Sequence, residues 1–251
     1  ELMENNFVHL NLHTEYSLSE GVNSIDSFLV KAKELGMTSL AVTDYANMFC
    51  AVEFYQKAKK MGIKPIIGLE LPITNRDEQN IFSLTLLAKN YNGYKNLVKL
   101  ASELYKKNEN RELKLNKEIL KEHSQDLIAL SSSMNGEIGK AILTNSSDEK
   151  VNKIIDEYIE IFSKENFYLE IQANELPETK IINDNILKKV LPGFLADCFS
   201  NNSLYNFLFF SDMSNSVGSS SFNSFKTFSS FLFELLFFII VTSLRIVYFL
   251  I

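Results

Sequence analysis

Short apolar runs alternate with longer amphipathic, charge-rich stretches over the first 190 residues, and this alternation constrains the fold most. Each apolar run is six to eight residues long and rich in Leu, Ile, Val or Phe. The pattern is the sequence form of repeated βα units, so it predicts an α/β sheet or barrel with parallel strands. The predicted strands are residues 7–12, 39–44, 64–71, 82–88, 126–131 and 167–172.

Amphipathic helices are predicted between these strands. In the first of them, apolar residues from Ile25 to Leu35 recur at helical spacing, and Gly36 follows where a C-terminal glycine belongs. The same form recurs in three later stretches, which are residues 47–62, 92–107 and 148–164.

The composition changes abruptly at Leu191. Residues 1–190 carry 51 of the 56 charged residues, whereas the last 61 residues carry five, together with 13 of the 20 phenylalanines. Two parts are therefore predicted: a folded domain over residues 1–190 and a hydrophobic tail of a different kind over residues 191–251.

Three interpretations of the tail are open. Residues 231–251 are long enough for a transmembrane helix, although Glu234 and Arg245 disfavour it. The tail could also be a fused unrelated segment, or the product of a changed reading frame near codon 190. The last is favoured, because Phe, Ser, Leu, Ile and Asn dominate AT-rich sequence read out of register. On this view the tail forms loosely packed helix and coil and supplies no closing strand, since its phenylalanine runs lack period-2 alternation.

Charge and cysteine usage exclude several functions. The net charge of −6 and the pI of about 5.3 exclude a broad basic footprint for duplex DNA or an anionic membrane. Two cysteines and no signal peptide predict a cytoplasmic chain without a disulfide scaffold. The five lysines between positions 89 and 107 fall at helical spacing with acids and apolar residues, which favours a solvated helix face over a nucleic-acid contact.

Polar residues cluster where the first three predicted strands end. In α/β folds, catalytic and ligand-binding residues lie at the carboxyl ends of the strands. His13, Glu20 and Glu70 come from these places, and we expect them to converge at one end of the sheet. Asp44 also lies at a strand end, where a turn or N-cap role ahead of Asn47 and the following helix is favoured over metal binding.

Four separated blocks carry a resemblance to a known family. HLNLHTEYSLSEG, AVTDYANMFCAVEFYQKAKKMGIKPIIGLEL, LLAKNYNGYKNLVKLAS and FSKENFYLEIQANELPE occur in this order. They resemble the N-terminal polymerase and histidinol phosphatase (PHP) domain of bacterial DNA polymerase III alpha subunits, from about Phe7 to Val190. The resemblance implies a distorted (β/α)7-type barrel, incomplete here. It also implies a trinuclear metal site that hydrolyses phosphoester bonds in active members and is eroded in others.

The resemblance can be carried over position by position. The family's opening His-x-His falls on Asn11 and His13, and the acidic ligand before Gly21 and the Gly-x-Glu carboxylate are retained as Glu20 and Glu70. The final Asp-x-His strand has no counterpart. Other ligand positions carry neutral residues, namely Asn11, Tyr45, Ser83, Ser133 and Asn174.

These losses predict a vestigial cluster of His13, Glu20 and Glu70 without a catalytic metal. The resemblance implies a structural domain within a DNA-directed DNA polymerase, a nucleotidyltransferase whose polymerase carboxylates lie outside this chain. The alternative is an active metal-dependent phosphoesterase or 3′–5′ proofreading exonuclease that uses Mn, Fe or Zn.

The expected partners follow from the same resemblance. They are the rest of the alpha subunit and, as a further candidate, a separate proofreading subunit. Contact with DNA is expected only through the full-length polymerase, and contact with a membrane is not expected.

Overall fold

The computed structural model describes residues 7–18, 20–74, 80–106, 113–174, 176–200 and 246–250. It shows a mixed α/β fold with one curled sheet in which the strands lie in chain order. The predicted strands from position 39 to position 172 are confirmed. The strands are β1 (Ser39–Val42), β2 (Lys64–Thr74), β3 (Ile81–Ala88), β4 (Leu127–Leu130), β5 (Phe167–Ala173) and β6 (Ile246–Leu250).

The prediction that all strands run parallel is wrong at β3. This strand is antiparallel to both β2 and β4, whereas β1 with β2 and β4 with β5 are parallel pairs. Only six residues, 75–80, separate β2 from β3. A parallel crossover needs about a dozen residues or more, so a connection this short returns the chain antiparallel.

The predicted first strand, residues 7–12, is also wrong. This segment lies beside β1, where the carbonyls of His9 and Leu12 accept from the backbone N–H groups of Ala41 and Thr43, each at 2.9 Å. The step from Ala41 to Thr43 is two residues, whereas the step from His9 to Leu12 is three, so the segment carries one extra residue. The Leu12 N–H donates to the Thr43 hydroxyl at 3.0 Å. That extra residue breaks the ladder, so the segment is extended without being a regular strand.

The four predicted helices are present, and three shorter or later ones join them. Ser24 caps α1 by accepting from the Ser27 N–H, and Gly36 and Gly62 follow α1 and α2 with left-handed φ values of +70° and +77°. The helices are α1 (Ile25–Glu34), α2 (Ala51–Lys60), α3 (Tyr91–Lys106), α4 (Lys117–Glu122), α5 (Glu137–Leu143), α6 (Asp148–Phe162) and α7 (Pro177–Ser200). The last runs through the compositional boundary at Leu191.

Strand alternation separates an apolar face of the sheet from a partly polar one. On β3, Leu84 and Leu86 belong to the main core with Leu97 and Leu100 of α3. The residues that alternate with these core positions along each strand point to the opposite side of the sheet, which we call the inner face. The inner-face positions that matter for the site are Glu70, Ser83, Thr85 and Glu170.

The end of the tail pairs with β5. Ile246–Leu250 runs parallel to it, in register from Leu169↔Ile246 to Ala173↔Leu250. The expectation that the tail supplies no strand is therefore wrong for these five residues. The physical reason is that an open strand edge offers unpaired backbone groups, and a continuous apolar run suits a parallel strand without alternation.

The transmembrane helix considered for residues 231–251, which was not the favoured interpretation, falls mostly outside the described residues. Its described part, β6, is a strand rather than the end of a helix. Within the described ranges, no helix combines the length and apolar character that a membrane crossing requires.

Candidate functional site

His13 forms the centre of the candidate site. Its Nδ1 lies 3.2 Å from Glu20 Oε2, and its Nε2 lies 3.0 Å from Glu70 Oε2. Glu70 projects from the middle of β2 on the inner face, and Glu20 comes from the loop that follows His13. The predicted convergence of these three residues, called the His13 cluster below, is confirmed.

The surroundings of His13 favour its charged form. Burial by itself lowers the pKa of the imidazole, but the hydrogen bond to Glu70 and the charges of Glu70, Glu20 and Asp44 outweigh it. The net effect raises the pKa of His13 above its ordinary value of 6.5. An imidazolium donates from both ring nitrogens, which suits a carboxylate on each side.

Asp44 fixes the loop that carries the cluster. Its carboxylate accepts from the Thr14 N–H at 2.6 Å, from the Thr14 hydroxyl at 2.7 Å and from the Ser17 hydroxyl at 2.6 Å. Asp44 is 1% exposed, so these bonds replace its hydration. The predicted role at the start of the following helix is wrong, because the carboxylate of Asp44 is taken up by the loop at residues 14–17, and α2 has no side-chain cap.

The same loop requires a glycine at position 21. A Cβ built on Gly21 would lie 1.8 Å from the Thr14 carbonyl oxygen, well inside any real contact distance. The loop therefore closes on itself, with Glu20 presented next to His13.

Tyr45 lies beside the cluster. Its backbone forms a parallel bridge with Glu70, and the Ala46 N–H donates to the Glu70 carbonyl at 2.8 Å. Burial, followed by the charges of Glu20 and Glu70, raises the pKa of the Tyr45 phenol. Tyr45 is therefore a neutral neighbour of two carboxylates.

Asn11 belongs to a chain of neutral polar groups across the inner face. Its Oδ1 accepts from the Thr43 hydroxyl at 2.7 Å, and its Nδ2 donates to the Thr85 hydroxyl at 3.4 Å. Thr85 in turn shares a hydrogen bond of 2.9 Å with Ser132, in the turn after β4. These groups satisfy one another, as buried polar groups require.

The remaining predicted positions lie further along the sheet. Ser133 is buried after β4, and its hydroxyl has no hydrogen-bond partner among the described residues. Ser83 is buried opposite Pro72, and Asn174 follows β5 and donates to Gln172 at 3.4 Å. Among the described contacts, none joins Ser83 or Asn174 to His13.

The PHP domain family profile matches residues 9–174 of this chain. The chain belongs to the PHP domain family. Among curated proteins, it is 40% identical over 214 residues to the DNA polymerase III subunit alpha of Helicobacter pylori, covering 79% of this chain and 18% of that protein. The subunits of Campylobacter jejuni and Thermus aquaticus are 38% and 40% identical, covering 72% and 73% of this chain and 16% of each relative.

The chain thus spans less than a fifth of the curated relatives it matches. Among solved structures, one from Bifidobacterium adolescentis, described as a metal-dependent phosphoesterase, aligns with a TM-score of 0.46 and 11% identity. It covers 72% of this chain and 83% of that one.

The described side chains around His13 contact one another, and the neutral ones outnumber the ligands that a metal cluster uses. Glu20 and Glu70 approach different nitrogens of one imidazole, so the three groups do not surround a common point. Within the described ranges, no three His, Cys, Asp or Glu side chains are grouped to hold a metal ion. Catalytic metals require several anionic or imidazole ligands, and Asn11 and Ser133 supply only neutral oxygens.

Glu170 is a residue of this PHP domain that sequence reasoning missed. It is fully buried on the inner face of β5, and burial raises the pKa of its carboxyl to about 8, helped by the charge of Glu70. The Gln172 Nε2 donates to the Glu170 Oε1, while the Glu170 Oε2 has no hydrogen-bond partner in the part of the chain that the structure describes. The available signal was a lone acid within the apolar run FYLEIQ, whose neighbours face the main core.

Proposed function

We propose that this PHP domain is a structural module of a cytoplasmic DNA polymerase III alpha subunit and not a hydrolase. The observation that carries the proposal is the pairing of both ring nitrogens of His13 with carboxylates. The identity of 36–40% to polymerase III alpha subunits over about three quarters of the chain supports the same assignment. The remainder of that subunit would then be its principal partner.

The cluster has a structural role that follows from its charges. Two carboxylates near each other, one of them 5% exposed, repel unless a cation lies between them. A metal ion could supply that charge, and here the His13 imidazolium supplies it. The cluster then ties the loop bearing His13 and Glu20 to the middle of β2.

Hydrolysis would need groups that the described residues of this inner face lack. A metal-activated water requires ligands that are anionic or imidazole, and the positions around His13 are occupied by an amide, a phenol and hydroxyls. The imidazole could join a metal only after losing a proton that both glutamates stabilise.

A metal-dependent phosphoesterase or 3′–5′ exonuclease that uses Mn, Fe or Zn is the second candidate. The feature that favours it is the retention of His13, Glu20 and Glu70 in one place. In that case His13 would be neutral and both glutamates would turn toward a metal. A separate proofreading subunit as a partner belongs to the structural proposal, since an inactive domain leaves proofreading to another chain.

A nuclease assay separates the two candidates. The full chain is incubated with manganese and a single-stranded oligonucleotide labelled at its 3′ end, and release of labelled nucleotide is followed over time. We expect release no faster than from a Glu70→Gln variant prepared in parallel. Manganese-dependent release by the unchanged chain that Glu70→Gln abolishes would establish the hydrolase instead.

A further inference from the structure

The exposed face of α3 is divided into two rows of side chains. Successive residues of an α-helix lie about 100° apart around its axis. This spacing places a row of lysines beside a row of tyrosines on α3. The buried positions of α3, including Leu97 and Leu100, fall on the opposite side. The rows extend over 16 residues, about 24 Å. Their members are Lys95, Lys99 and Lys106, and Tyr91, Tyr94 and Tyr105.

The rows meet at the start of α3. Tyr91 is 72% exposed and stacks on Tyr94 with ring centroids 6.2 Å apart and an angle of 22° between the ring planes. The Lys95 ammonium lies over the Tyr91 ring, 5.1 Å from its centroid. A large aromatic surface and a cation are thus presented together to solvent.

The lysine row keeps its charge available at Lys95 and Lys99, whereas Lys106 pairs with Glu103 at 3.0 Å. Among the described residues, no acidic side chain lies within 4 Å of the ammonium of Lys95 or Lys99, and the first turn of α3 carries no acid. Elsewhere on the surface the pattern differs, since Lys57 on α2 contacts both Asp26 and Glu53. The start of α3 is therefore a local positive patch on a chain of net charge −6.

We infer that this face of α3 binds single-stranded nucleic acid. A base stacks on Tyr91, and the Lys95 ammonium moves from the ring to a neighbouring phosphate. Lys99, about 6 Å further along the axis, contacts the next part of the backbone. Unpaired bases present open ring faces next to negative charge, which matches the two rows.

Other anionic partners match this face less well. A duplex hides the faces of its bases, and an acidic polypeptide makes no use of an exposed tyrosine pair. The inference goes beyond the proposed structural role, because it gives the domain a direct contact with nucleic acid. It also replaces the interpretation of the lysines as a solvated face.

The test uses fluorescence anisotropy of a labelled 20-nucleotide oligothymidine titrated with the full chain at several salt concentrations. The test variant carries Tyr91→Ala and Lys95→Gln. The matched control carries Tyr55→Ala and Lys59→Gln on α2, where another exposed lysine lies 5.8 Å from a tyrosine ring centroid. Both variants lose one ring and one charge, so they differ only in location.

We expect the α3 variant to bind about fivefold or more weakly than the unchanged chain, and the α2 variant to bind within twofold of it. The slope of log K against log salt should fall by about 0.7 for each lysine neutralised on α3, which a separate Lys99→Gln variant checks. Thermal melts of all variants confirm that the fold is kept.

Three results would overturn the inference. The first is no measurable binding by the unchanged chain at low salt. The second is an equal loss in the α3 and α2 variants, which would show a general charge effect. The third is competition by polyglutamate as strong as by unlabelled oligothymidine, which would assign the face to an acidic polypeptide.

Discussion

Replacement of Lys117 by methionine tests how the helices of this domain are held together. Lys117 on α4 is 8% exposed, and its ammonium lies 2.7 Å from Glu137 on α5 and 2.8 Å from Glu157 on α6. The ammonium also lies 4.6 Å from the ring centroid of Tyr158, whose hydroxyl donates to Glu137. One cation therefore links three helices.

The cost of Lys117→Met follows from the carboxylates it leaves behind. Methionine keeps the length of the side chain but removes the charge, so Glu137 and Glu157 remain close together without the ammonium that contacts them both. Removal of one partner from a buried ion pair typically costs about 3–5 kcal/mol of unfolding free energy. With a urea m-value of about 2 kcal/mol/M, the unfolding midpoint should fall by about 1.5–2.5 M.

Lys121→Met is the matched control, on the same helix. Lys121 contacts Glu160 at 2.6 Å, but the two side chains are 55% and 70% exposed. Exposed pairs contribute about 1 kcal/mol or less, so the midpoint should move by about 0.5 M or less. Equal shifts in the two variants would refute the reasoning, because burial would then have no influence on the cost.

Three further changes probe the site. Asp44→Ala removes the acceptor of three hydrogen bonds, and we expect the melting temperature to fall by about 4–8 °C, measured by circular dichroism; a fall below 1 °C would contradict the role of Asp44 in the loop. Because the folded pKa of His13 is raised, its contribution to stability is complete below pH 6.5 and is lost as pH rises through the folded value. The stability advantage of the unchanged chain over His13→Gln should therefore shrink above pH 6.5, and a constant difference from pH 5 to 9 would contradict this. Glu170 has a folded pKa of about 8, so its contribution is complete below about pH 4.5 and declines up to pH 8. The melting temperature of Glu170→Gln should therefore rise relative to that of the unchanged chain across that range. A constant difference between the two melting temperatures would contradict the raised pKa of Glu170.

The sequence predicts the strands better than their directions. Apolar runs such as residues 82–88 mark β3 because burial on a sheet needs them, but an apolar run carries no information on which way the strand runs. The short connection before β3 was the sequence signal that indicated an antiparallel direction. Residues 7–12 have the composition of a strand, yet the Thr43 hydroxyl takes the Leu12 N–H and interrupts the ladder.

The sequence likewise predicts which residues form the candidate site better than it predicts their hydrogen-bond partners. The resemblance identified His13, Glu20 and Glu70, and the structure brings them together, although Glu70 lies in the middle of β2 and not at a strand end. The partners of each group could not be predicted, because they depend on the folded loop. Asp44 bonds Thr14 and Ser17 across about 30 positions of sequence, and Glu170 is charged or neutral according to a burial that only the folded sheet creates.

The central claim is that a proton on His13, and not a metal ion, balances Glu20 and Glu70. The most direct measurement is the metal content of the full chain, purified without chelator and dialysed against Mn, Fe and Zn in turn. Elemental analysis should find well under one equivalent of each metal per chain, equal to the content of Glu70→Gln. One or more equivalents in the unchanged chain, lost in Glu70→Gln, would contradict the account.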